Sequence, residues 1–216
     1  MPRRAKEDAA KTRDRILASA LSLFAKKGYD HTTFNDIAAR LKMTKGAVYW
    51  HFESKEKLLI ELVREMLLSF EREIFDLLPP GEKSFDRLSF SDVADMMVRH
   101  AVQTVSDSKR AAFFMLMHEQ IRWSSASMGA VREGILKSKK FGPWEAFNVA
   151  VKNDIRYARV SPEVDSKEIA SCCMSLWNGL VRSHIDKFLQ CDLESTLTKA
   201  YSAIWRDLQA GASPKI

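Results

Sequence analysis

The sequence is poor in the residues that interrupt a chain or cross-link it. Its 216 residues include eight Gly, six Pro and three Cys. A β-sandwich or β-barrel needs many turns, so this shortage of Gly and Pro favours an all-helical chain. Three Cys, with Cys172 and Cys173 adjacent, exclude a disulfide framework and indicate reduced thiols in a cytoplasmic protein. We expect these cysteines and Cys191 to be buried apolar fill.

Long apolar runs are also absent. No stretch approaches the roughly 18 apolar residues of a membrane-spanning helix. Residues 1–8 carry charges with no apolar segment behind them, so no secretory signal and no membrane partner are predicted. A hydrophobic fraction of 46% with 29% charged residues excludes wholesale disorder. The length allows one or two domains and excludes a large multidomain enzyme.

The positive charge is concentrated at one end of the chain. The first 60 residues hold 13 Lys and Arg against 7 Asp and Glu, whereas the remaining residues hold 21 of each. This asymmetry indicates an N-terminal module that meets a polyanion and a neutral body with a different task.

Apolar residues recur at helical spacing along most of the chain, which predicts about nine helices and no strand. A charged arm occupies the first ten or so residues, and three short helices and a longer bundle follow. The predicted helices begin near Thr12, Thr33, Thr44, Ser54, Ser91, Lys109, Met128, Asp165 and Asp192. Pro79-Pro80-Gly81 should end the fourth helix, and Gly142-Pro143 should kink or break the seventh.

Residues 33–52 carry the pattern that is most informative about function, a helix, a tight turn and a second helix. Small and polar residues at the start of the second helix allow it to enter the DNA major groove, where base edges are readable. Thr44 and Lys45 are expected to reach bases, while residues around them should grip the backbone. The predicted DNA contacts are Thr33, Lys42, Thr44, Lys45, Gly46, Tyr49, Trp50, His51 and Lys55. Phe52 is expected to be core.

The pairs Leu23-Phe24, Gly28-Tyr29 and Ile37-Ala38, together with Gly46 to Phe52, resemble the TetR family of bacterial transcriptional regulators. The run Gly-Ala-Val-Tyr-Trp-His-Phe is most similar to the AcrR/TtgR-like branch, which represses multidrug efflux pumps. The resemblance implies an all-α homodimer with a DNA-binding domain over residues 10–70 and a ligand-binding and dimerisation domain over 71–211. It implies a repressor that binds a palindromic double-stranded DNA operator, is released by a small apolar effector and controls an efflux system.

Lys42 departs from the family pattern, because the turn between the motif helices usually holds Gly there. If the position is left-handed, Lys costs roughly 1 kcal/mol relative to Gly. The alternative is a slightly different turn.

Two other functions stay open. A helical small-molecule-binding protein without a DNA role leaves the charge asymmetry unexplained. A DNA-binding regulator without an effector leaves the large neutral body unexplained. Salt-dependent binding to a palindrome separates the repressor from the first alternative, and effector-dependent loss of that binding separates it from the second.

The body carries aromatic and Met side chains with a few polar ones, a composition that suits an apolar ligand cavity. The same side chains would fill a solid core equally well. The predicted ligand contacts are Met96, His100, Phe114, His118, Arg122, Trp123, Phe147, Trp177 and Asn178.

The last two helices are the predicted dimer interface, because the penultimate one is apolar around much of its circumference.

No metal site is predicted, because no two His residues have the spacing of metal ligands and because His100, His118 and His184 fall on different predicted helices. No Ser-His-Asp spacing, phosphate loop or dinucleotide fingerprint appears, so we expect neither an enzyme nor a cofactor.

Overall fold

The computed structural model describes residues 2–78, 85–137 and 141–211, with side chains from residue 7 onward. These residues contain ten α-helices and no strand, which confirms the all-helical prediction. The helices are α1 (Pro2–Lys27), α2 (Phe34–Leu41), α3 (Lys45–His51), α4 (Lys55–Phe75), α5 (Phe90–Ser106), α6 (Ser108–Met115), α7 (Gly129–Lys137), α8 (Pro143–Arg156), α9 (Ser166–Ile185) and α10 (Leu193–Ala210). A π-helical turn, Leu116–Gln120, follows α6 directly.

Side-chain caps fix several of the predicted helix starts, among them Thr44, Asp165 and Asp192. The Thr44 Oγ1 atom accepts from the Ala47 amide at 3.2 Å. Asp165 and Asp192 cap α9 and α10, where their carboxylates accept from amides in the first turn at 2.8 and 2.7 Å. Such bonds satisfy amides that have no partner within the helix, and each cap typically contributes about 1 kcal/mol.

Three helix boundaries differ from the sequence prediction. The helix α1 begins at Pro2, so the prediction of a separate N-terminal arm was wrong; Ala, Lys, Glu and Arg favour helix there, and Pro is tolerated in a first turn. Gly142-Pro143 is a complete break that separates α7 from α8, which gives ten helices rather than nine. The helix predicted to begin near Lys109 changes to the π-helical turn after Met115 and stops before Ile121, whose backbone is extended. Pro79-Pro80-Gly81 lies outside the described residues, and α4 ends at Phe75.

The helices form two packing units, each with its own buried core. The first unit comprises residues 2–66 and 107–137, and its core includes the fully buried Ile16, Phe24 and Val48. The second comprises residues 67–106 and 141–211. This grouping places α6 and α7 with the helix-turn-helix, whereas the division at residues 70 and 71 stays a prediction about domains.

The core of the second unit is built on aromatic rings from α5, α8 and α10. The ring of Phe90 lies 5.7 Å from Phe147 and 5.5 Å from Trp205, and Phe147 lies 5.5 Å from Tyr201. A fully buried carboxylate holds the start of α5, because Asp154 accepts from the Phe90 amide at 2.8 Å. Burial raises the pKa of Asp154, and the bond from the Phe90 amide and the ion pair with Arg159 oppose that rise.

Lys42 occupies a left-handed conformation with φ 54° and ψ 44° between α2 and α3. Its amide donates to Ala39 O at 3.2 Å, which closes the last turn of α2. Lys42 is therefore left-handed, the first of the two alternatives predicted for this turn.

We expect Lys42→Gly to raise the free energy of unfolding by up to about 1 kcal/mol, because glycine adopts this backbone without steric cost. Lys42→Ala is the matched control: it removes the same charge, keeps a Cβ atom and should give no gain. Urea denaturation of both variants measures the difference. Equal stability of the two variants would count against backbone strain at this position.

Candidate nucleic-acid interface

The helix α3 is held by one buried side chain within it and a second directly after it, and it exposes Lys45, Tyr49 and Trp50. Val48 is fully buried, and Phe52, directly after the helix, is 4% exposed, which confirms the prediction that Phe52 is core. Tyr49 is 47% exposed and Trp50 is 74% exposed. An exposed Trp beside an exposed Tyr forms an apolar patch on this short helix, the kind of surface that a binding partner covers.

The first turn of α3 leaves room for a close approach. Thr44, Lys45 and Gly46 are all exposed. A Cβ atom built on Gly46 would meet only the Thr44 hydroxyl, at 3.9 Å, so this side of the turn faces open space. The backbone can therefore lie against a large planar surface such as base edges in a groove.

Ring contacts orient the exposed side chains. The Tyr49 ring packs edge-on against Phe34 with centroids 4.8 Å apart, and the Lys45 ammonium lies 5.5 Å from the Tyr49 ring. The Trp50 and His51 rings meet edge to face at 4.6 Å. These contacts restrict rotamers before any ligand arrives, which lowers the entropy lost on binding.

The start of α2 carries a complete capping box. The Thr33 amide donates to Asp36 Oδ2 at 2.9 Å, and the Thr33 hydroxyl donates to the same oxygen at 2.6 Å. The Lys27 ammonium pairs with the other oxygen of Asp36 at 2.8 Å. Bonds from Lys27 and then Thr33 hold the pKa of Asp36 well below its usual range. A carboxylate thus already occupies the hydrogen-bond donors that Thr33 was predicted to offer to a phosphate.

Lys55 is also engaged within the protein. Its ammonium donates to the carbonyl oxygens of Tyr29 at 2.8 Å and Asp30 at 3.3 Å, and lies 4.4 Å from the Tyr29 ring. The side chain therefore ties the turn after α1 to the start of α4. Its predicted role as a phosphate clamp stays a prediction, and Lys55→Ala would disturb this tie as well as any phosphate contact.

Sequence reasoning missed the role of Arg13. Its guanidinium donates to Glu61 at 2.6 Å and Glu65 at 3.0 Å, and lies 5.3 Å from the Phe52 ring. It thereby joins α1 to α4 over the end of α3. The two glutamates at four-residue spacing on one face of α4 were the available signal for a basic partner.

His51 is half-buried at the end of α3. Burial, and secondarily the nearby Arg13 charge, lower the pKa of His51. In the free protein the imidazole is therefore neutral around pH 7, since even its ordinary pKa is about 6.5. A lowered pKa means that the folded state binds this proton less readily than the unfolded state. The contribution to folding stability is therefore present above the unfolded pKa and is lost as the pH falls through the folded value.

We expect operator affinity to rise as the pH falls from 8 to 6. A DNA phosphate beside His51 would raise the pKa of the imidazole, so the imidazole would take up a proton when DNA binds. His51→Gln should remove this pH dependence and leave most of the affinity at pH 8. Operator titrations at several pH values measure the effect, with His31→Gln as a control at an exposed site in the same unit. A parallel pH profile in His51→Gln would place His51 away from the phosphates.

The predicted ligand contacts fall in both packing units. In the second unit His100 and Trp177 come together with ring centroids 5.7 Å apart, and Phe70 packs edge-on against His100 at 5.5 Å. His100 Nδ1 lies 3.3 Å from Glu73 Oε2, and Trp177 Nε1 donates to Met97 O at 2.9 Å. Met96 is buried and Asn178 is half-buried. Phe147 belongs to the Phe90 and Tyr201 cluster described above.

In the first unit Phe114 lies on α6, His118 lies on the π-helical turn, and Arg122 and Trp123 follow that turn. The rings of Phe114 and the exposed His118 pack at an angle of 36° with centroids 4.4 Å apart. Trp123 Nε1 donates to Met117 O at 2.6 Å, while the Arg122 side chain is 86% exposed.

Cysteine burial is only partly as predicted. Cys173 is fully buried, and burial raises its pKa to about 12, so it is an inert thiol. Cys172 and Cys191 are exposed, so the prediction of buried apolar fill was wrong for both. Cys172 lies on the exposed side of α9, and Cys191 lies in the segment between α9 and α10.

Over residues 7–78, 85–137 and 141–211, no three His, Cys, Asp or Glu side chains group to hold a metal. None of the helices there is both long and apolar enough to span a lipid bilayer.

Comparison with known proteins finds one family that matches the N-terminal region and relatives that match most of the chain. Residues 16–62 match the family described as bacterial regulatory proteins, tetR family. The HTH-type transcriptional regulator TtgR of Pseudomonas putida is 28% identical over 183 residues, which are 84% of each chain.

Solved structures share the fold over nearly the full length. The SmeT–triclosan complex matches with a TM-score of 0.73 and 20% identity, covering 95% of this chain and 96% of that one. NalD, the secondary repressor of the MexAB-OprM multidrug efflux pump in Pseudomonas aeruginosa, matches with a TM-score of 0.70 and 21% identity, covering 93% and 97%.

Proposed function

Because the chain belongs to the TetR family of bacterial regulatory proteins, near its AcrR/TtgR branch, we propose that it is a ligand-responsive transcriptional repressor. In this proposal a cytoplasmic homodimer binds a palindromic operator through residues 10–70, and the body over residues 71–211 binds an effector and dimerises. The family consists of regulators, and we propose no catalytic role.

The exposed helix α3 is the observation that carries this proposal. It presents Lys45, Tyr49 and Trp50 to solvent on a scaffold held rigid by Val48 and Phe52. The unit around it carries the chain's excess positive charge, which supplies salt-dependent attraction to DNA. In the complex one α3 enters the major groove of each half-site, with the half-sites about 34 Å or a multiple of that apart. Thr44, Lys45 and Gly46 face the bases, and Tyr49, Trp50 and His51 face the backbone.

The effector is proposed to be a small apolar compound. TtgR and NalD are similar over most of the chain, and NalD represses a multidrug efflux pump, so the regulated target is proposed to be an efflux system. SmeT was solved with triclosan, a small aromatic compound. The pair His100 and Trp177 offers an imidazole and an indole beside apolar side chains, which suits an aromatic ligand with one polar group.

An apolar effector should weaken operator binding about 5- to 150-fold, the range of a typical coupling of 1–3 kcal/mol between two sites. The test is a fluorescence titration of the operator, found as an inverted repeat upstream of the gene, with and without a panel of hydrophobic compounds. Trp177→Phe should reduce the response to effector and leave operator affinity unchanged, while Trp144→Phe, on a half-exposed side chain, is the control. If no compound in the panel changes the affinity, the sensor half of the proposal is wrong.

A further inference from the structure

Arg13 bridges α1 and α4 at a point where the apolar packing between these helices is incomplete. Its guanidinium donates to Glu61 Oε2 at 2.6 Å and to Glu65 Oε1 at 3.0 Å. A cavity of about 230 Å³ lies between α1, α4 and α6 next to this bridge, and its lining includes Leu17, Leu62 and Glu65. Because side chains do not fill this space, the two ion pairs supply a connection that close packing does not provide there.

The same guanidinium covers the end of α3. It lies 5.3 Å from the centroid of the Phe52 ring. The Phe52 amide donates to Val48 O at 3.0 Å, a bond that closes the last turn of α3. Arg13 therefore connects the residue at which α3 ends to two other helices, to α1 through its own backbone and to α4 through the two glutamates.

The seven-residue helix α3 depends on such outside contacts for its direction. An isolated helix of this length is unstable in water, because the first turn of a helix is costly to form. Thr44 caps the start of α3, and Val48 is buried within it. The contact between Arg13 and Phe52 restrains the other end, so its loss should leave the helix free to tilt.

The bridge differs from an ordinary ion pair on a protein surface. The side chains of Arg13 and Glu61 are only 32% and 29% exposed, and Glu61 also accepts from Arg64 at 3.5 Å. A single exposed pair contributes little, because two long side chains are immobilised for one contact. Here one immobilised guanidinium makes two ion pairs and a cation–π contact, so less conformational entropy is lost for each contact formed.

We infer that Arg13 is a positioning residue for DNA recognition: it fixes the direction of α3 by holding Phe52 between α1 and α4, and it does not itself contact DNA. The inference rests on the proposed function, in which α3 reads base edges. Base contacts need a fixed geometry, whereas phosphate contacts tolerate small shifts because they depend mainly on charge. Loss of Arg13 should therefore reduce the preference for the operator more than the general affinity for DNA.

Hydrogen–deuterium exchange of the full-length protein without DNA tests the positioning, and it needs no assumption about the repressor function. In Arg13→Gln the amides of residues 49–52 should exchange about three- to tenfold faster, the effect of losing a charge-assisted contact that opposes local opening. Amides of α8, in the other packing unit, should be unaffected. Arg15→Gln, at an exposed side chain on the same helix, is the matched control and should leave α3 unchanged. Equal acceleration in α3 and α8, or none in α3, overturns the inference.

Operator titrations test the consequence for recognition. Arg13→Gln should weaken binding to the preferred operator about 5- to 30-fold, within the range of losing one base contact. Binding to unrelated DNA should weaken by about twofold or less, with the salt slope unchanged, because no phosphate contact is lost. Equal weakening for all sequences with a salt slope reduced by about one would show that Arg13 binds a phosphate, and the inference would be wrong. Absence of salt-dependent DNA binding in the wild type would instead refute the proposed function, and the exchange measurement would still decide whether Arg13 holds α3.

A charge exchange tests the bridge with a variant that keeps an ion pair. Arg13→Glu combined with Glu65→Arg restores one pair between α1 and α4 with the charges reversed. Glu65→Arg alone measures the gain in operator affinity that an added positive charge gives. When Glu65→Arg is added to Arg13→Glu, the recovery should exceed that gain about 2- to 20-fold, the range of coupling between residues in contact. A recovery no larger than the gain from Glu65→Arg alone is the result for a phosphate-binding arginine, and it overturns the inference.

Discussion

Lys45→Ala should weaken binding to the preferred operator by a factor of about 5 to 150, which corresponds to the 1–3 kcal/mol that a good base contact contributes. Binding to unrelated DNA should weaken much less. The reason is the position of Lys45 in the first turn of α3, where Thr44 and Gly46 leave the helix surface open. Competition binding against operators with single base changes measures the loss of discrimination.

Lys57→Ala is the matched control for Lys45→Ala. It removes the same charge from an exposed side chain on α4, where Lys57 pairs with Glu53 at 3.4 Å. It should weaken binding to all sequences slightly and equally, because an exposed pair of this kind contributes little. If Lys45→Ala instead weakens all sequences equally and reduces the salt slope by about one, Lys45 contacts a phosphate and not a base.

Local features of the fold could be predicted from the sequence because their causes lie within a few residues. The caps at Thr44, Asp165 and Asp192 depend on hydrogen bonds to amides two or three residues away. The left-handed turn at Lys42 was anticipated as a possibility because related chains hold Gly there. Phe52, directly after α3, was also correctly expected to be core.

Contacts between distant segments could not be predicted in the same way. Lys55 binds carbonyl oxygens that lie 25 and 26 residues earlier, and Arg13 pairs with glutamates about 50 residues later. The sequence showed the charges of these side chains, and an exposed cation near a DNA-binding helix is reasonably assigned to phosphate. Only the packing of α1 against its neighbours reveals that the protein itself provides the acceptors.

The same limit applies to the grouping of helices. Sequence order suggested that everything after residue 70 forms the body, yet α6 packs with α1 in the first unit. After α1 the chain turns at Gly28, with φ 89°, where a Cβ atom would lie 3.2 Å from Gln120 Oε1 in the π-helical turn. A helix pattern specifies which face is apolar but not which neighbour covers it, so the grouping could not be predicted from periodicity.

The dimer interface proposed for α9 and α10 has a surface that fits a close helix pair. Trp177 and Val181 are buried in the second unit, while Leu180 and Ile204 are only partly covered. Small side chains lie at helical spacing on the open face of α9, at Cys172, Ser175 and Gly179, and all are exposed. A Cβ atom on Gly179 would meet nothing within 4 Å, so a partner helix can approach there. We therefore propose that two copies pair through α9 and α10 as a four-helix interface.

Leu180→Asp and Ile204→Asp should each convert the proposed dimer into a monomer. Operator affinity should then fall about 10²- to 10⁴-fold, because two linked DNA-binding domains bind the second half-site at high effective concentration. Affinity for an isolated half-site should change little, since α3 is untouched. Sedimentation at micromolar concentration and titration of full and half operators measure both effects. Leu136→Asp, at an α7 side chain that is 78% exposed in the other unit, is the control and should stay dimeric. A monomeric wild type, or a Leu180→Asp variant that keeps both the dimer and full operator affinity, would refute pairing through these helices.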